Sequence, residues 1–374
     1  MKIGIMTFWW SQDNYGQLLQ CYALQKYLCD AGHDAYLIRY ISDNDYERAP
    51  FLKKIIKVFN PVFFYKYVYG KIYYSRIMKE QRKNDRHFDE FREHFIKVSD
   101  CLYKSYAELK ENPPEADLYI VGSDQVWNPK CTGMPYSEAY KKIVNAYFLN
   151  FGLPKTKRMS YAASWGIKSL DEEKINIIKP LLSQFDYVSV REESGVALCK
   201  LCGAERIEWV CDPTMLLNAD TYREIYRTSK IRKIEKPFIL LYMLNNEFNF
   251  DINNVYEFAK LKNLSVVYVT GNGVIDNREK YFATIPEWLY LVDNAEYIVT
   301  NSFHCGVFST IFSKKYGIVP LSESDSGMNA RFDSLFERYK IKERYISSNK
   351  LDILDMEYEI EPFSSTLSEM LQEL

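Results

Sequence analysis

The sequence predicts an α/β protein with two doubly wound, Rossmann-like domains facing a cleft, and three observations predict it. Short runs rich in β-formers alternate with stretches whose apolar residues recur at helical spacing. The order strand, loop, helix, strand returns in both halves, which implies parallel sheets with helical crossovers. And 374 residues exceed what one hydrophobic core usually holds, which at roughly 150 residues per domain favours two domains.

The elements follow in order. "KIGIMTF" reads as the first strand and the polar turn "WSQDNYG" as its exit. "QLLQCYALQKYLCDAG" is a helix stopped at Gly32, and "DAYLIRY" is the second strand. After an insertion, "ADLYIVGSDQVWN", "RMSYAASWG" and "DYVSVREES" each pair a strand-like run with a polar or glycine-containing edge. "IEWVCDPTMLL" closes the first unit, with Asp212 and Pro213 breaking regular structure. The division falls near residue 218, giving an N-terminal α/β domain over 1–218 and a C-terminal one over 219–374. In the second domain the strands are "KPFILLYML", "LSVVYVT", "AEYIVTN" and "YGIVPL". Helical patterns separate them at "FDINNVYEFAKLK", "IPEWLYLVDN", "CGVFSTIFSK" and "NARFDSLFERYK". "SSTLSEMLQEL" is a terminal amphipathic helix that can pack on either half. Two such sheets facing one another make the arrangement called GT-B-like, and open α/β sheets bind ligands at the carboxyl ends of their strands.

Composition narrows the function. The chain is 47% hydrophobic with a net charge of -2, which describes a globular protein and argues against a dedicated nucleic-acid binder. One segment departs from this average. Between Leu52 and Arg86 ten Lys or Arg face two acids, so the segment carries +8 and the rest of the chain about -10. Within an insertion at about 43–115, "VFNPVFFYKYVYGKIYY" interleaves aromatics with lysines. That composition suits either an anionic membrane surface, through residues 52–86, or a helical arm with solvated lysines. The opening residues lack the apolar region and cleavage site of a signal peptide, and no apolar run is long enough to span a bilayer. The expectation is a cytoplasmic protein, peripheral at the inner membrane face if the insertion binds lipid. Eight cysteines are then reduced thiols. "CKLC" at Cys199 to Cys202 has no second ligand pair, so no metal site is expected.

The candidate chemistry sits at strand exits. In "TNSFHCGVFSTIF" a helix starts near His304, where free N–H groups and the helix dipole favour an anion, and Asn301 or Ser302 can cap it. An imidazole there either binds an anionic oxygen or passes a proton, or is simply structural. Arg191, after "YVSV", either holds a carboxylate or phosphate in bidentate fashion or pairs with Glu192, Glu193 or another acid. "GSDQVWN" supplies Gly122, Ser123 and Asp124, suited to hydroxyl-rich ligands, although Asp124 can equally cap a helix. Asn14 and Gly16 lie in the loop after the first strand. Phosphate-loop, GxSxG, HExxH and GxGxxG motifs are absent.

With "NYGQLLQCYALQKYL", "YIVGSDQVWN", "SYAASWG", "SVREESG", "VCDPTMLL" and "IVTNSFHCGVFSTIFSKK" in that order, the chain resembles the polysaccharide pyruvyl transferase family over nearly its whole length outside the insertion. The resemblance implies a GT-B-like enzyme that moves the enolpyruvyl group of phosphoenolpyruvate onto two hydroxyls of a sugar as a cyclic ketal, releasing phosphate. No cofactor is needed beyond that co-substrate. The acceptor is a glycan or a lipid-linked oligosaccharide precursor of a surface polysaccharide such as a capsule or exopolysaccharide. By the same resemblance His304 is general acid or phosphate ligand and Arg191 a donor anchor. Asn14, Gly16, Ser123 and Asp124 face the acceptor, with Asp124 the base. Many members carry Arg-Leu-His-Gly where this chain has Ser302, Phe303, His304 and Cys305, so a cation is missing at Ser302. Lys314, Lys315, Arg331 or Arg158 is then the replacement, with Ser302, Lys314 and Arg331 counted beside Arg191 and His304 at the donor. Two other functions share the architecture: a glycosyltransferase using a nucleotide sugar, and a catalytically silent carbohydrate-binding member.

Overall fold

The computed structural model describes the chain except for 44–67, scattered positions between 69 and 82, and the short segments 132–137, 245–249, 272–273, 275, 322–325, 342, 347–349 and 360–365; side chains of 326–328 are also outside the description. Most of the basic aromatic segment at 52–86, and with it the proposed lipid contact, lies outside the described residues. Among the described residues no helix is long and apolar enough to cross a membrane.

The first sheet is built from β1 (Lys2–Met6), β2 (Asp34–Tyr40), β3 (Val98–Tyr103), β4 (Leu118–Val121) and β5 (Lys157–Ser160), all parallel, in the order β3-β2-β1-β4-β5. The short pair β6 (Val188–Val190) and β7 (Ile207–Trp209) continues it through parallel bridges from Met159 to Tyr187 and from Ala163 to Val190. The interleaved helices are α1 (Tyr15–Asp30), α2 (Phe88–Phe95), α3 (Tyr106–Glu111), α4 (Glu138–Tyr147), α5 (Glu172–Leu182) and α6 (Glu193–Leu201). The insertion predicted at about 43–115 is therefore only partly an insertion. From residue 88 onward it supplies α2, the edge strand β3 and α3, all part of the domain. β3 exposes the middle of "VSDCLY" and so lacks the apolar run that marks the interior strands.

A 3-10 turn at Pro213–Leu216 leads into α7 (Ala219–Thr228), whose Arg223 and Tyr226 both bind Asp293 of the second domain. That domain has β8 (Phe238–Met243), α8 (Asn253–Leu261), β9 (Ser265–Thr270), α9 (Ile285–Asn294), β10 (Tyr297–Thr300), α10 (Phe303–Ile311), β11 (Lys315–Ile318) and α11 (Ser326–Arg338). Its parallel sheet runs β11-β10-β8-β9. The terminal helix α12 (Leu367–Glu373) returns to the first domain's edge, where Thr366 donates to Glu208 at 2.9 Å. The strand orders place a switch point between β1 and β4 in one sheet and between β8 and β10 in the other, where loops diverge and ligands bind.

These two switch points meet. A single apolar core runs from Ile3 and Leu24 of the first domain through Tyr222 to Trp288 and Phe308 of the second. Tyr15, in the first turn of α1, stacks on Trp288 with ring centroids 5.2 Å apart and donates its hydroxyl to Ala283 O at 2.8 Å. Such an aromatic pair contributes ~1 kcal/mol beyond the area it buries. The halves are packed together, and the cleft expected from the sequence is a narrow crevice.

Candidate functional site

In the second domain the chain leaves β10 and must turn at once into α10. Thr300 Oγ1 accepts from Ser302 N at 3.0 Å, and Ser302, in an extended conformation, caps the helix by accepting from Cys305 N at 3.4 Å. Asn301 is used differently: its Oδ1 accepts from Leu244 N at 2.8 Å and fastens the exit of β8 to the exit of β10. His304 is thereby fixed as the second residue of α10, only 5% exposed, with Nε2 3.5 Å from Asp212 Oδ2 and no hydrogen-bond partner.

The first domain meets it with the exit of β1. Asn14 caps α1 by accepting from Gln17 N at 3.3 Å, and Gly16 follows in the first turn. A Cβ on Gly16 would lie 2.1 Å from Cγ of His304, so the imidazole occupies the volume that a side chain there would need. The exit of β4 brings Ser123, whose hydroxyl donates to Asp212 Oδ2 at 2.9 Å, and Asp124, held in the left-handed region at φ 78. Asp124 Oδ1 accepts from Gln125 N at 2.8 Å and Oδ2 from Gln17 Nε2 at 3.4 Å, which joins the exit of β4 to the first turn of α1.

Arg191 follows β6 and is 3% exposed. Its Nη1 donates to Asp212 Oδ2 at 2.8 Å and to Ser123 Oγ at 3.0 Å. Its Nε lies 3.5 Å from Glu192, and Nε and Nη2 have no hydrogen-bond partner. Glu192 is itself held by the Ser164 hydroxyl and by Trp165 N at 3.3 Å. The guanidinium of Arg191 lies 4.6 Å from the ring centre of Phe303, and that of Arg331, from α11, lies 5.5 Å from the same ring. Phe303 thus carries two cations. Burial opposes the charge on Arg191, but Glu192 and then Asp212 outweigh it and raise its pKa; burial and the proximity of Arg191 push Arg331 down to about 10. Burial likewise opposes the charge on Asp212, yet His304 and Arg191 hold its carboxyl far below the usual range. Arg191, Asp212, Phe303 and Arg331 line the crevice, together with Trp209 and Arg338.

Strand exits, a capped helix and clustered charge from both domains come together here, and the sequence kinship of the chain is decisive. A family model described as Polysaccharide pyruvyl transferase matches residues 14–315, most of the chain, including every side chain described for this site except Arg331 and Arg338. The chain belongs to the polysaccharide pyruvyl transferase family. No curated protein matches the sequence of this chain. Solved structures similar to it at a distance include a UDP-GlcNAc 2-epimerase from Methanocaldococcus jannaschii in complex with UDP-GlcNAc and UDP, with 12% identity over 100% of this chain and 99% of that chain and a TM-score of 0.48. Others are a UDP-N-acetylglucosamine 2-epimerase from Rickettsia bellii (11%, 95% and 85%, 0.48) and a UDP-GlcNAc 2-epimerase from Neisseria meningitidis (10%, 91% and 90%, 0.44).

Of the residues singled out from the sequence, the fold brings together His304, Ser302, Arg191, Arg331, Ser123, Asp124, Asn14 and Gly16. Lys314 is not among them. It lies beyond the C-terminal end of α10, where its ammonium donates to Asp293 O at 2.9 Å and burial lowers its pKa. Nor do the other two replacements reach the crevice: Lys315 pairs with Glu357 at 3.1 Å, and Arg158 spends its guanidinium on the carbonyls of Leu149, Thr156 and Phe151. Only Arg331, of the four, stands beside Arg191. The Cys199 and Cys202 thiols are buried on and just after α6, pushed up to about 12 and about 11 by burial. Asp212, Glu192 and Gln17 went unrecognised as site residues. "VCDP" and "REES" carried two of them in plain view, but the sequence reads the first as a breaker and the second as a surface pairing partner.

Proposed function

We propose that this protein transfers the enolpyruvyl group of phosphoenolpyruvate to two hydroxyls of a sugar in a surface polysaccharide or its lipid-linked precursor, forming a cyclic ketal and releasing phosphate. The observation that carries the proposal is the convergence of Arg191 and Arg331 on one crevice, with His304 3.5 Å from Asp212 of the same lining, in a chain of this family. A donor bearing both carboxylate and phosphate needs at least two cationic anchors, and guanidinium groups match both anions in bidentate geometry.

The roles follow from the chemistry. Protonated His304 gives its proton to the methylene carbon of the donor. The carbon–carbon π pair forms the new C–H bond and C2 becomes electrophilic. One sugar hydroxyl adds to C2. Phosphate leaves with its C–O pair, assisted by Arg191 and Arg331, which neutralise the charge that develops on it. The second hydroxyl closes the ketal. Of the two hydroxyl protons, one replaces the proton spent on the methyl group and the other ends on phosphate. Asp124, joined to α1 through Gln17, is the base that receives a hydroxyl proton. Ser123, Asn14 and Gly16 shape the acceptor side. The site is nearly closed as it stands, so substrates enter by separation of the halves, and closure excludes water from the electrophilic intermediate.

The test is direct. Purified protein is incubated with phosphoenolpyruvate and candidate glycans, and phosphate release is followed together with the glycan mass. Matched phosphate release and gain of a pyruvate ketal are expected. Stabilisation and turnover with nucleotide sugars alone would replace this reading by glycosyl transfer, and glycan binding without turnover of either donor would leave a binding protein.

A further inference from the structure

We infer that Asp212 is the positioning residue of the site, fixing Arg191 and His304 relative to one another so that closure of the two domains assembles the cationic cluster. The carboxylate stands on the connector that joins the domains, at the residue before Pro213. The proline ring restricts the backbone there to extended conformations, and φ −59, ψ 140 is the result. Its direction of projection is therefore set locally. Oδ1 accepts from Thr214 N at 3.0 Å and from Thr214 Oγ1 at 2.7 Å, which locks the side chain onto the 3-10 turn.

Oδ2 does the long-range work. It accepts from Ser123 Oγ after β4 and from Arg191 Nη1 after β6, and it faces His304 Nε2 across the domain boundary. Four segments thus meet on one carboxyl group that is 2% exposed. A buried carboxylate is costly unless paired, and here its partners are the two residues assigned to the donor. With both oxygens engaged and almost no exposure, Asp212 acts through Arg191 and His304, without touching substrate. Among the described residues the other charged groups nearby are Arg331 and Arg338 of α11, which line the crevice, and Glu192 after β6 and Asp124 after β4, which act on Arg191. Removal of the Asp212 charge leaves Arg191, which shares Phe303 with Arg331, with less acid beside it. The site then attracts an anion at least as well while holding His304 less firmly.

That combination separates positioning from mere support of the fold, and its kinetic arm rests on the pyruvyl-transfer reading. For Asp212→Asn, folded by circular dichroism, kcat is expected to fall about 100-fold with donor KM no higher than in the wild type. Hydrogen–deuterium exchange without substrate is expected to quicken at 191–195 and 303–307 and to stay unchanged in β1. Exchange unchanged at both turns, kcat within about threefold of wild type, or donor KM raised about tenfold at unchanged kcat would each overturn the inference. Where Asp212→Asn does not fold, Ser123→Ala removes one neutral donor from the same oxygen. A few-fold loss in kcat without a rise in KM supports the assignment, and a rise in KM alone contradicts it. If the wild type releases no phosphate from phosphoenolpyruvate, the pyruvyl-transfer reading fails while the exchange measurement still decides the role of Asp212.

Discussion

The two strand-to-helix turns that meet at the domain boundary are built alike and finished differently. Each leaves a buried parallel strand, each is capped by a polar side chain, Asn14 in the first domain and Ser302 in the second, and each delivers a helix to the crevice. Two residues after its cap, the first turn has glycine and the second has histidine. The ring of His304 fills the space that Gly16 leaves, so the pair behaves as a knob and its socket across the interface. The difference teaches that the closed arrangement depends on which residue carries the side chain, since the secondary structure on the two sides is the same.

Breaking the knob gives the largest effect. His304→Gln keeps much of the volume and removes the proposed proton donor, and kcat for phosphate release is expected to fall by about 10²–10⁴ with the fold intact. Filling the socket comes next. Gly16→Ala pushes a methyl group into the imidazole and should lower the melting midpoint by the equivalent of about 1–3 kcal/mol; it should also reduce kcat about 100-fold through misplacement of His304. An activity loss in His304→Gln that Gly16→Ala does not share, even in part, would mean that the socket is only packing. Arg191→Lys sharpens the comparison from the side. It retains a charge but loses the planar fork whose Nη1 binds Asp212 and Ser123 and whose other nitrogens have no hydrogen-bond partner, and donor KM is expected to rise about tenfold. Smaller still, Asn14→Ala and Ser302→Ala each remove a helix cap, and calorimetry should find about 1 kcal/mol lost in either case.

The acid response has its sign fixed by Asp212. Its folded pKa lies below its ordinary value of 3.8, so the stability it contributes is present above that value and is lost as pH falls toward the folded pKa. Thermal unfolding should therefore show a midpoint that declines below about pH 4, and Asp212→Asn should flatten that decline. An unchanged slope in the variant would assign the acid lability to other carboxylates, such as Asp293 beside Arg223 and Tyr226. There burial opposes ionisation, but the hydrogen bonds from those two side chains lower the pKa.

Much of the framework was legible because strand exits announce themselves. "DAYLIRY" coincides with β2, and "IVTNSFHC" carries strand, cap and histidine in eight residues. What stayed hidden has physical reasons. β3 is an edge strand with an exposed middle, so it shows neither an apolar run nor clean alternation. Asp212 sits in "CDP", a turn signature, and only tertiary structure reveals that its second oxygen collects Ser123, Arg191 and His304 from residues 89, 21 and 92 positions away. Charge near His304 in sequence misled in the opposite direction. Lys314 is ten residues on, but α10 carries it to the far end of the helix, whereas Arg331 returns on α11 to share Phe303 with Arg191.

The central claim is that a proton from His304 starts transfer of an enolpyruvyl group at a crevice closed by both domains. The most direct test compares initial rates of phosphate release from phosphoenolpyruvate, with an accepted glycan present, for the wild type, His304→Gln and Gly16→Ala. Release by the wild type matched to ketal on the glycan, near-total loss in His304→Gln and a large loss in Gly16→Ala are predicted. No release by the wild type with any glycan, or undiminished release by His304→Gln, would contradict the claim.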